Sequence, residues 1–336
     1  MPKLLQLVVF AVSTLVLVFS AAAKVQPLTT SRVHMVVWRG CEEACQGFIR
    51  YFEERELPVK VSVTDVARDK SALEAVKEKI NASRPDLVVT WGTTVTRSLI
   101  GTIEDHGAES GLGDIPALFM IVADPVRSGI IESYATSGRP LVTGVHNRVK
   151  EEVQLNQIFE YHRPKRLAVI NDPSAINSSL NTQTLLGLSK KMGFELLQFE
   201  YALNERGKPD PVQIPALIAQ AKEQGAEAIY VGSSSFNLEN RGAFTNEAVA
   251  QNLPVFSAYE QMVRDGMALM SVSNSYVNVG KLAASQAAKI LLDGMEPGQL
   301  RVKALDRYSL FVNMRAARQL KLYPPLPIVN MAEIIQ

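Results

Sequence analysis

The sequence predicts an α/β protein of two lobes, each a parallel sheet flanked by helices. Short apolar runs rich in Val and Ile alternate with longer amphipathic runs, at the spacing of strand and helix units. The alternation starts again near residues 145–150, with no linker rich in Gly, Ser or Pro between the halves. Two lobes joined this closely usually share a cleft, where ligands collect at the carboxyl ends of the strands.

The first half alternates strands and helices. The apolar run 87–91, and the run 117–122 behind Pro116, have the character of buried strands, whereas 43–55 and 72–82 have helical periodicity. The predicted strands are 33–38, 59–63, 87–91, 117–122 and 141–145, and the predicted helices are 43–55, 72–82 and 94–104.

The second half repeats the pattern. Gly193 and Gly225 follow two amphipathic runs and are typical of helix ends. The predicted helices are 151–161, 178–192, 212–224, 241–251 and 279–292, and the predicted strands are 166–170, 194–200, 228–231, 255–257, 268–272 and 307–312.

The composition allows two cores and disfavours a nucleic-acid partner. The chain has 336 residues, of which 47% are hydrophobic. Its formal net charge is +1 and no run of like charges occurs, whereas nucleic-acid binding usually requires a basic field.

The first residues have the pattern of an export signal. Lys3 precedes the uncharged apolar stretch 4–19, and Ala21 and Ala23 fit the small-residue rule for cleavage. The apolar stretch is near the minimum length of a membrane span, so an uncleaved anchor is the alternative. We predict a signal peptide over residues 1–23, a mature chain that begins at Lys24, and a periplasmic location.

The chain has two cysteines, Cys41 and Cys45. Export permits a disulfide, and a spacing of four on a helix puts the Cα atoms near the upper part of the allowed range. Two free thiols at a helix start are the alternative. A metal site is disfavoured because no histidine lies nearby. We predict that the two residues form a disulfide.

Motifs for catalysis or metal binding are missing from the sequence. It contains no Walker-type loop, no H-E-x-x-H and no G-x-S-x-G. The histidines, which are His34, His106, His146 and His162, do not have metal-ligand spacing. We predict that the protein is not an enzyme and holds no metal or cofactor; an exported α/β enzyme is the least favoured alternative.

Small polar residues follow the strand 87–91. Thr93 or Thr94 can cap the helix that starts there, or the free N–H groups of that helix start can bind a carboxylate. Similar residues follow other strands, in "WRGCEE", "VADPVRSG", "INDPSAINSS", "VGSSSFN", "SAYEQ" and "SVSNSYVN". Such residues also form ordinary turns and caps, but their repetition at successive strand ends favours a ligand site.

Eight stretches follow one another in a recognisable order. They are "GFIRYFEERE", "RPDLVVTWGTTVTRSL", "IPALFMIVADPVRSGII", "PLVTGVHN", "PKRLAVINDPSAINS", "AEAIYVGSSS", "LPVFSAYEQMVRDGMALMSV" and "VGKLAASQAAKILLDGMEPG". In this order they resemble the type I periplasmic-binding-like substrate-binding proteins of ABC importers, in the branch that contains tryptophan- and tyrosine-type binders. The resemblance extends over about residues 33–327. Each stretch is weakly specific, but their order and spacing together are specific.

The resemblance implies three crossings between the lobes and lobe closure on a small-molecule ligand. It implies a first lobe of residues 25–145 plus about 272–298, and a second lobe of residues 146–271 plus about 299–330. The closed protein, expected to be a monomer, would deliver its ligand to an ABC permease at the inner membrane. A periplasmic ligand sensor with the same fold is the alternative function.

The resemblance also implies a ligand site at the strand ends, where Thr93 and Thr94 would hold a ligand anion. The predicted site residues are Trp38, Gly40, Gly92, Thr93, Thr94, Asp124, Asn177, Ser178, Ser234, Ser235, Tyr259, Glu260, Asn274 and Ser275. The sequence departs from amino-acid binders because Ser234 and Ser275 stand where a carboxylate often meets the ligand ammonium. Asp124 or Glu260 could supply that charge. We therefore predict a small carboxylate or an aromatic, amino-acid-like compound.

Overall fold

The computed structural model describes residues 30–336, so the predicted signal peptide lies outside the described residues. Two sheets covered by helices form the fold, which confirms the predicted α/β class. Their strands are β1 (Ser31–Val37), β2 (Val59–Asp65), β3 (Leu87–Trp91), β4 (Ala117–Val122), β5 (Val142–His146), β6 (Arg166–Asn171), β7 (Glu195–Glu200), β8 (Ala228–Val231), β9 (Val255–Ser257), β10 (Met270–Ser273), β11 (Ser309–Asn313) and β12 (Ala332–Ile335).

The first sheet has the order β2-β1-β3-β4-β5, and all its pairings are parallel. Every residue of β3 and β4 is buried, because helices cover both faces of the sheet. The α-helices of both lobes are α1 (Glu43–Glu53), α2 (Ala72–Ser83), α3 (Thr93–Leu99), α4 (Ile103–His106), α5 (Glu151–Tyr161), α6 (Ile176–Met192), α7 (Ile214–Glu223), α8 (Ser235–Glu239), α9 (Arg241–Ala250), α10 (Gln261–Arg264), α11 (Tyr276–Leu291), α12 (Met314–Leu320) and α13 (Leu326–Met331). Within residues 30–336, none of them has the length and apolar character needed to cross a membrane.

The second sheet has the order β12-β11-β10-β9-β8-β6-β7. It differs from the predicted all-parallel sheet because β11 runs antiparallel to β10. The chain passes between the sheets after β5, after β10 and before β11, so β10 runs toward a crossing and β11 runs away from one. Neighbouring strands that approach and leave the same side of a sheet must be antiparallel.

The helix α11 returns to the first sheet and packs on α1. A Cβ atom at Gly47 would meet the backbone of Val277, and one at Gly280 would meet the backbone of Ala44. These two glycines therefore let the helix backbones approach closely. We propose, from sheet membership and this packing, an N-lobe of residues 30–146 and 276–302 and a C-lobe of residues 147–275 and 303–336.

The predicted helix 94–104 is divided into α3 and α4. Gly101 lies between them with a φ of 79°, which only glycine adopts readily. Arg139 caps the C-terminal end of α3. Its guanidinium donates to the carbonyl oxygens of Ile100 at 2.8 Å and Gly101 at 2.9 Å. The break therefore depends on a residue about 40 positions away, which local periodicity does not reveal.

Candidate functional site

A cavity of about 620 Å³ lies between the lobes, at the carboxyl ends of the strands. Each of the seven strand-end loops named from the sequence contributes at least one residue to its wall. Seven of the predicted site residues line it: Trp38, Gly92, Thr93, Thr94, Asn177, Ser235 and Tyr259. Parallel strands thus bring these distant segments together.

The other predicted site residues lie behind the cavity wall. Ser178 donates to Asn171 Oδ1 at 2.9 Å, and Ser234 accepts from the Asn237 N–H at 3.2 Å as the N-cap of α8. The amide of Asn274 donates to the Asn147 carbonyl oxygen at 3.2 Å. These three side chains hold the loops in place, as capping residues do.

Four more predicted residues are outside the wall. Gly40 forms a turn with a φ of 79°, and Ser275 precedes α11. A carboxylate oxygen of Glu260 lies 3.4 Å from the Tyr276 N–H, and the other lies 3.5 Å from Arg264 Nε. Burial raises the pKa of Glu260. Asp124 lies 3.6 Å from an Nη atom of Arg148 and accepts from the Arg127 N–H at 3.0 Å.

Arg39 crosses the cavity from the N-lobe to the C-lobe. Its side chain is 4% exposed, its Nε donates to Glu42 at 2.8 Å and its Nη1 donates to Ser235 Oγ at 2.8 Å. Its guanidinium carbon lies 4.7 Å from the ring centre of Trp91, in a cation–π contact. Within residues 30–336 no hydrogen bond of its Nη2 is found, so this nitrogen could donate to a bound molecule.

Arg148 forms a second buried cationic centre in the wall. Its side chain is 11% exposed and forms ion pairs with Asp124 and Glu151. Burial lowers the pKa of Arg148, although Asp124 opposes this shift. The two carboxylates stabilise the guanidinium, since an unpaired charge would be costly at this depth.

Six aromatic side chains contribute to the apolar part of the cavity wall. They are Trp38, Trp91, Tyr230, Phe236, Tyr259 and Tyr276. Trp91 is buried, and its indole N–H has no partner among the described residues. Burial raises the pKa of Tyr259 to about 12, so its phenol keeps its proton and can donate. A flat apolar ligand group would fit such a wall.

Carboxylates and exposed cations complete the lining. Asp172 is 5% exposed, and its Oδ1 accepts from the backbone N–H and the hydroxyl of Ser174. Glu239 is ion-paired with Arg68, and burial raises its pKa. The exposed lining cations, which we call the rim, are Arg68, Lys70, Arg206 and Lys208. The cavity therefore has charged side chains on both its N-lobe wall and its C-lobe wall.

Sequence reasoning missed the arginines and the carboxylates of the wall. Arg39 lies two positions after the last residue of β1 and Arg148 two positions after the last residue of β5, so both belong to strand-end loops, as the predicted polar residues do. Each also has a glutamate three residues later, Glu42 and Glu151. That spacing is typical of an ordinary ion pair at a helix start. It therefore does not distinguish a ligand-binding arginine from a structural one.

The predicted disulfide is present beside the cavity. Cys41 and Cys45 are bonded, with Cα atoms 5.1 Å apart. The bond closes the turn between Arg39 and the first turn of α1, and Cys45 is fully buried. It therefore restricts the loop that carries Arg39. Within residues 30–336, no group of His, Cys, Asp or Glu side chains is arranged to hold a metal ion.

The burial of His146 predicts that the stability of the fold depends on pH. Burial lowers the pKa of its imidazole to about 4; Asp124 opposes this shift, whereas Arg148 and Lys150 reinforce it. The Tyr134 ring packs on it at 4.6 Å. In the unfolded chain its pKa is about 6.5, so between pH 6.5 and 4 the unfolded state binds more protons.

We therefore expect stability to fall as the pH drops from 6.5 to 4. In His146→Gln this fall should be smaller, and thermal unfolding at several pH values measures it. His106→Gln, at an exposed position, serves as the control. A pH profile of His146→Gln that coincides with the unaltered protein would show that other groups cause the effect.

Comparison with known proteins reveals similarity over nearly the whole described chain. The sequence profile of the family described as "ABC transporter substrate binding protein" matches residues 34–333. A tyrosine-binding protein of Clostridioides difficile is 21% identical over 277 residues, which are 81% of this chain and 74% of the relative. Two solved structures have similar folds. A conserved domain protein of Vibrio cholerae has a TM-score of 0.78 and 20% identity, covering 92% of this chain and 100% of the other. An ABC domain of Streptococcus pneumoniae in complex with L-Trp has a TM-score of 0.76 and 17% identity, covering 90% and 100%.

Proposed function

The chain belongs to the ABC transporter substrate-binding protein family, and from that premise we propose that it captures an aromatic amino-acid-like ligand between its lobes and delivers it to the permease of an importer. The family consists of ligand-binding proteins and not enzymes, as the sequence predicted. The two-lobed fold is that of type I periplasmic binding proteins. Ligand class, export and delivery are our proposals.

The observation that carries the ligand class is the pairing of aromatic rings with a buried guanidinium in one cavity. Arg39 lies against Trp91, with Nη2 left for a ligand, and Tyr259 adds a buried phenol to the wall. A guanidinium binds a carboxylate strongly in a site that excludes water. The ring of the ligand would lie against the aromatic wall while its carboxylate meets Arg39, with Thr93 and Thr94 nearby as further donors.

Asp172 supports an ammonium group on the ligand. It lines the cavity, is almost fully buried, and uses only Oδ1 in its hydrogen bonds with the described residues. Its Oδ2 could therefore accept from a ligand ammonium, which needs a carboxylate partner when it leaves water. Asp172 would thus supply the carboxylate that amino-acid binders often have at the positions of Ser234 and Ser275. The relatives that bind tyrosine or hold L-Trp are consistent with such a ligand.

Export and delivery complete the proposal. Residues 1–23 would direct the chain to the periplasm and be removed, and the mature protein would act as a monomer. Lobe closure would create the surface that an inner-membrane permease recognises. N-terminal sequencing of the periplasmic protein should find Lys24 first, whereas a membrane-bound protein that begins at Met1 would indicate an anchor.

Intrinsic fluorescence gives a direct test of the ligand class. The only tryptophans of the chain, Trp38 and Trp91, both line the cavity, so their emission reports on its occupation. We expect L-tyrosine, L-phenylalanine or L-tryptophan to bind with a Kd in the micromolar range or below, with calorimetry used for tryptophan. The matching 3-arylpropionates lack the ammonium group and should bind at least about tenfold more weakly.

Asp172→Asn is the matched variant, and it should reduce this preference for the amino acid. If the arylpropionates bind as tightly as the amino acids, the ligand is a simple carboxylate. If neither series binds, the ligand class is wrong, and mass spectrometry of the ligand retained by the native protein would identify the class that replaces it.

A further inference from the structure

Arg127 joins the two lobes at a place outside the cavity wall. It lies in the N-lobe loop between β4 and β5, and its guanidinium reaches α6 of the C-lobe. Its Nη1 donates to Thr184 Oγ1 at 2.7 Å and to the Leu180 carbonyl oxygen at 3.2 Å, and its Nη2 donates to Gln183 Oε1 at 3.0 Å. The planar guanidinium thus makes three hydrogen bonds across the lobe boundary.

Both ends of this contact are fixed within their own lobes. The loop of Arg127 is held because its N–H donates to Asp124 Oδ1 at 3.0 Å, and Arg97 donates to the Ser128 carbonyl oxygen at 2.9 Å. On the other side, α6 packs on its own sheet. The contact therefore forms only when the two lobes have this relative position.

The helix α6 also links this contact to the cavity. Asn177, in its first turn, lines the cavity wall, whereas Leu180 and Thr184 lie one and two turns farther along the same helix. Residues at positions i, i+3 and i+7 share one face of a helix. Docking of Arg127 on this face therefore fixes the helix that presents Asn177 to the ligand.

We propose that Arg127 is a positioning residue that stabilises the closed arrangement of the lobes without touching the ligand. Other contacts across the cavity, from Arg39 to Ser235, from Arg68 to Glu239 and from Lys208 to the Arg68 carbonyl oxygen, involve residues of the cavity wall. Their removal would change the ligand site itself. Arg127 changes the fraction of closed protein, and apparent affinity falls in proportion to the fraction of the binding-competent form.

Arg127→Ala tests the proposal in the full-length mature protein. Arg127→Lys keeps the charge but cannot reproduce the three hydrogen bonds. Arg163→Ala is the matched control, since Arg163 is an exposed arginine that donates to the Met192 carbonyl oxygen on α6, within one lobe. Small-angle scattering without ligand and hydrogen exchange of residues 176–184 measure closure, and fluorescence measures the dissociation of L-tyrosine.

We expect Arg127→Ala to have a larger radius of gyration, faster exchange in the first turns of α6 and about tenfold faster dissociation of L-tyrosine. Arg127→Lys should be intermediate and Arg163→Ala unchanged. Scattering and exchange of Arg127→Ala equal to those of the unaltered protein would overturn the proposal. Only the measurement of L-tyrosine dissociation rests on the proposed ligand-binding function. If L-tyrosine does not bind, the scattering and exchange arms still decide the role of Arg127.

Discussion

Replacing Arg139 by leucine should lower the free energy of unfolding of the N-lobe by about 3–5 kcal/mol. Arg139 is 1% exposed, and burial lowers its pKa. Its donors reach four backbone carbonyl oxygens, those of Ile100, Gly101, Glu109 and Ile130, at distances of 2.8–3.2 Å, with one further short contact to Glu109. Leucine would leave these acceptors without a donor in an interior that water reaches poorly.

Urea unfolding followed by tryptophan fluorescence measures this effect, because Trp38 and Trp91 both belong to the N-lobe. Arg84→Leu is the control, because Arg84 is exposed and its ion pair with Asp114 is at the surface. Surface ion pairs contribute about 0–1 kcal/mol, so the control should change little. If Arg139→Leu unfolds at the same urea concentration as Arg84→Leu, the hydrogen bonds of the buried guanidinium to the segments around Gly101, Glu109 and Ile130 do not stabilise the N-lobe.

The sequence was sufficient for the elements whose signal is local. The bounds of β3, β4, β8 and β9 agree with the predicted ones, since each is a short apolar run bounded by Pro, Gly or polar residues. The helix α5 also agrees with its predicted range. Burial on both faces makes such runs continuous, so their ends are easy to recognise.

Features that depend on distant parts of the chain were not predictable in this way. The direction of β11 depends on the crossing before it, and the break at Gly101 depends on Arg139. The strand β12 has only four residues and lies at a sheet edge beside β11, so its pattern is too short to predict a strand on its own. These elements follow from topology and not from periodicity.

The candidate site shows the same division. Thr93 and Thr94 were predicted because small polar residues between a strand and a helix are informative on their own. The roles of Arg39 and Asp172 depend on which groups face them from the other lobe and on how deeply they are buried. The sequence contains neither quantity, so a search for small polar residues predicted Ser234 and passed over both charges.

Arg39→Met should weaken binding of L-tyrosine by about 100-fold, provided that this amino acid binds as proposed. Methionine keeps much of the length of the side chain but removes the charge, the hydrogen bond to Ser235 and the cation–π contact with Trp91. A charge-assisted hydrogen bond contributes about 1.5–3 kcal/mol, and 100-fold corresponds to about 2.7 kcal/mol. The fold should tolerate the change, because Glu42, the partner left behind, is 32% exposed and can remain hydrated.

Two further variants separate charge from geometry at this position. Arg39→Lys keeps the positive charge but loses the planar guanidinium, so its affinity should lie between those of Arg39→Met and the unaltered protein. Lys70→Met removes an exposed rim cation and should change the Kd less than about threefold, because exposed charges are screened. Fluorescence titration of the three variants at one salt concentration gives the comparison. If Arg39→Met binds L-tyrosine no more weakly than Lys70→Met, the carboxylate of the ligand does not meet Arg39, and the buried Arg148 is the cation to test next.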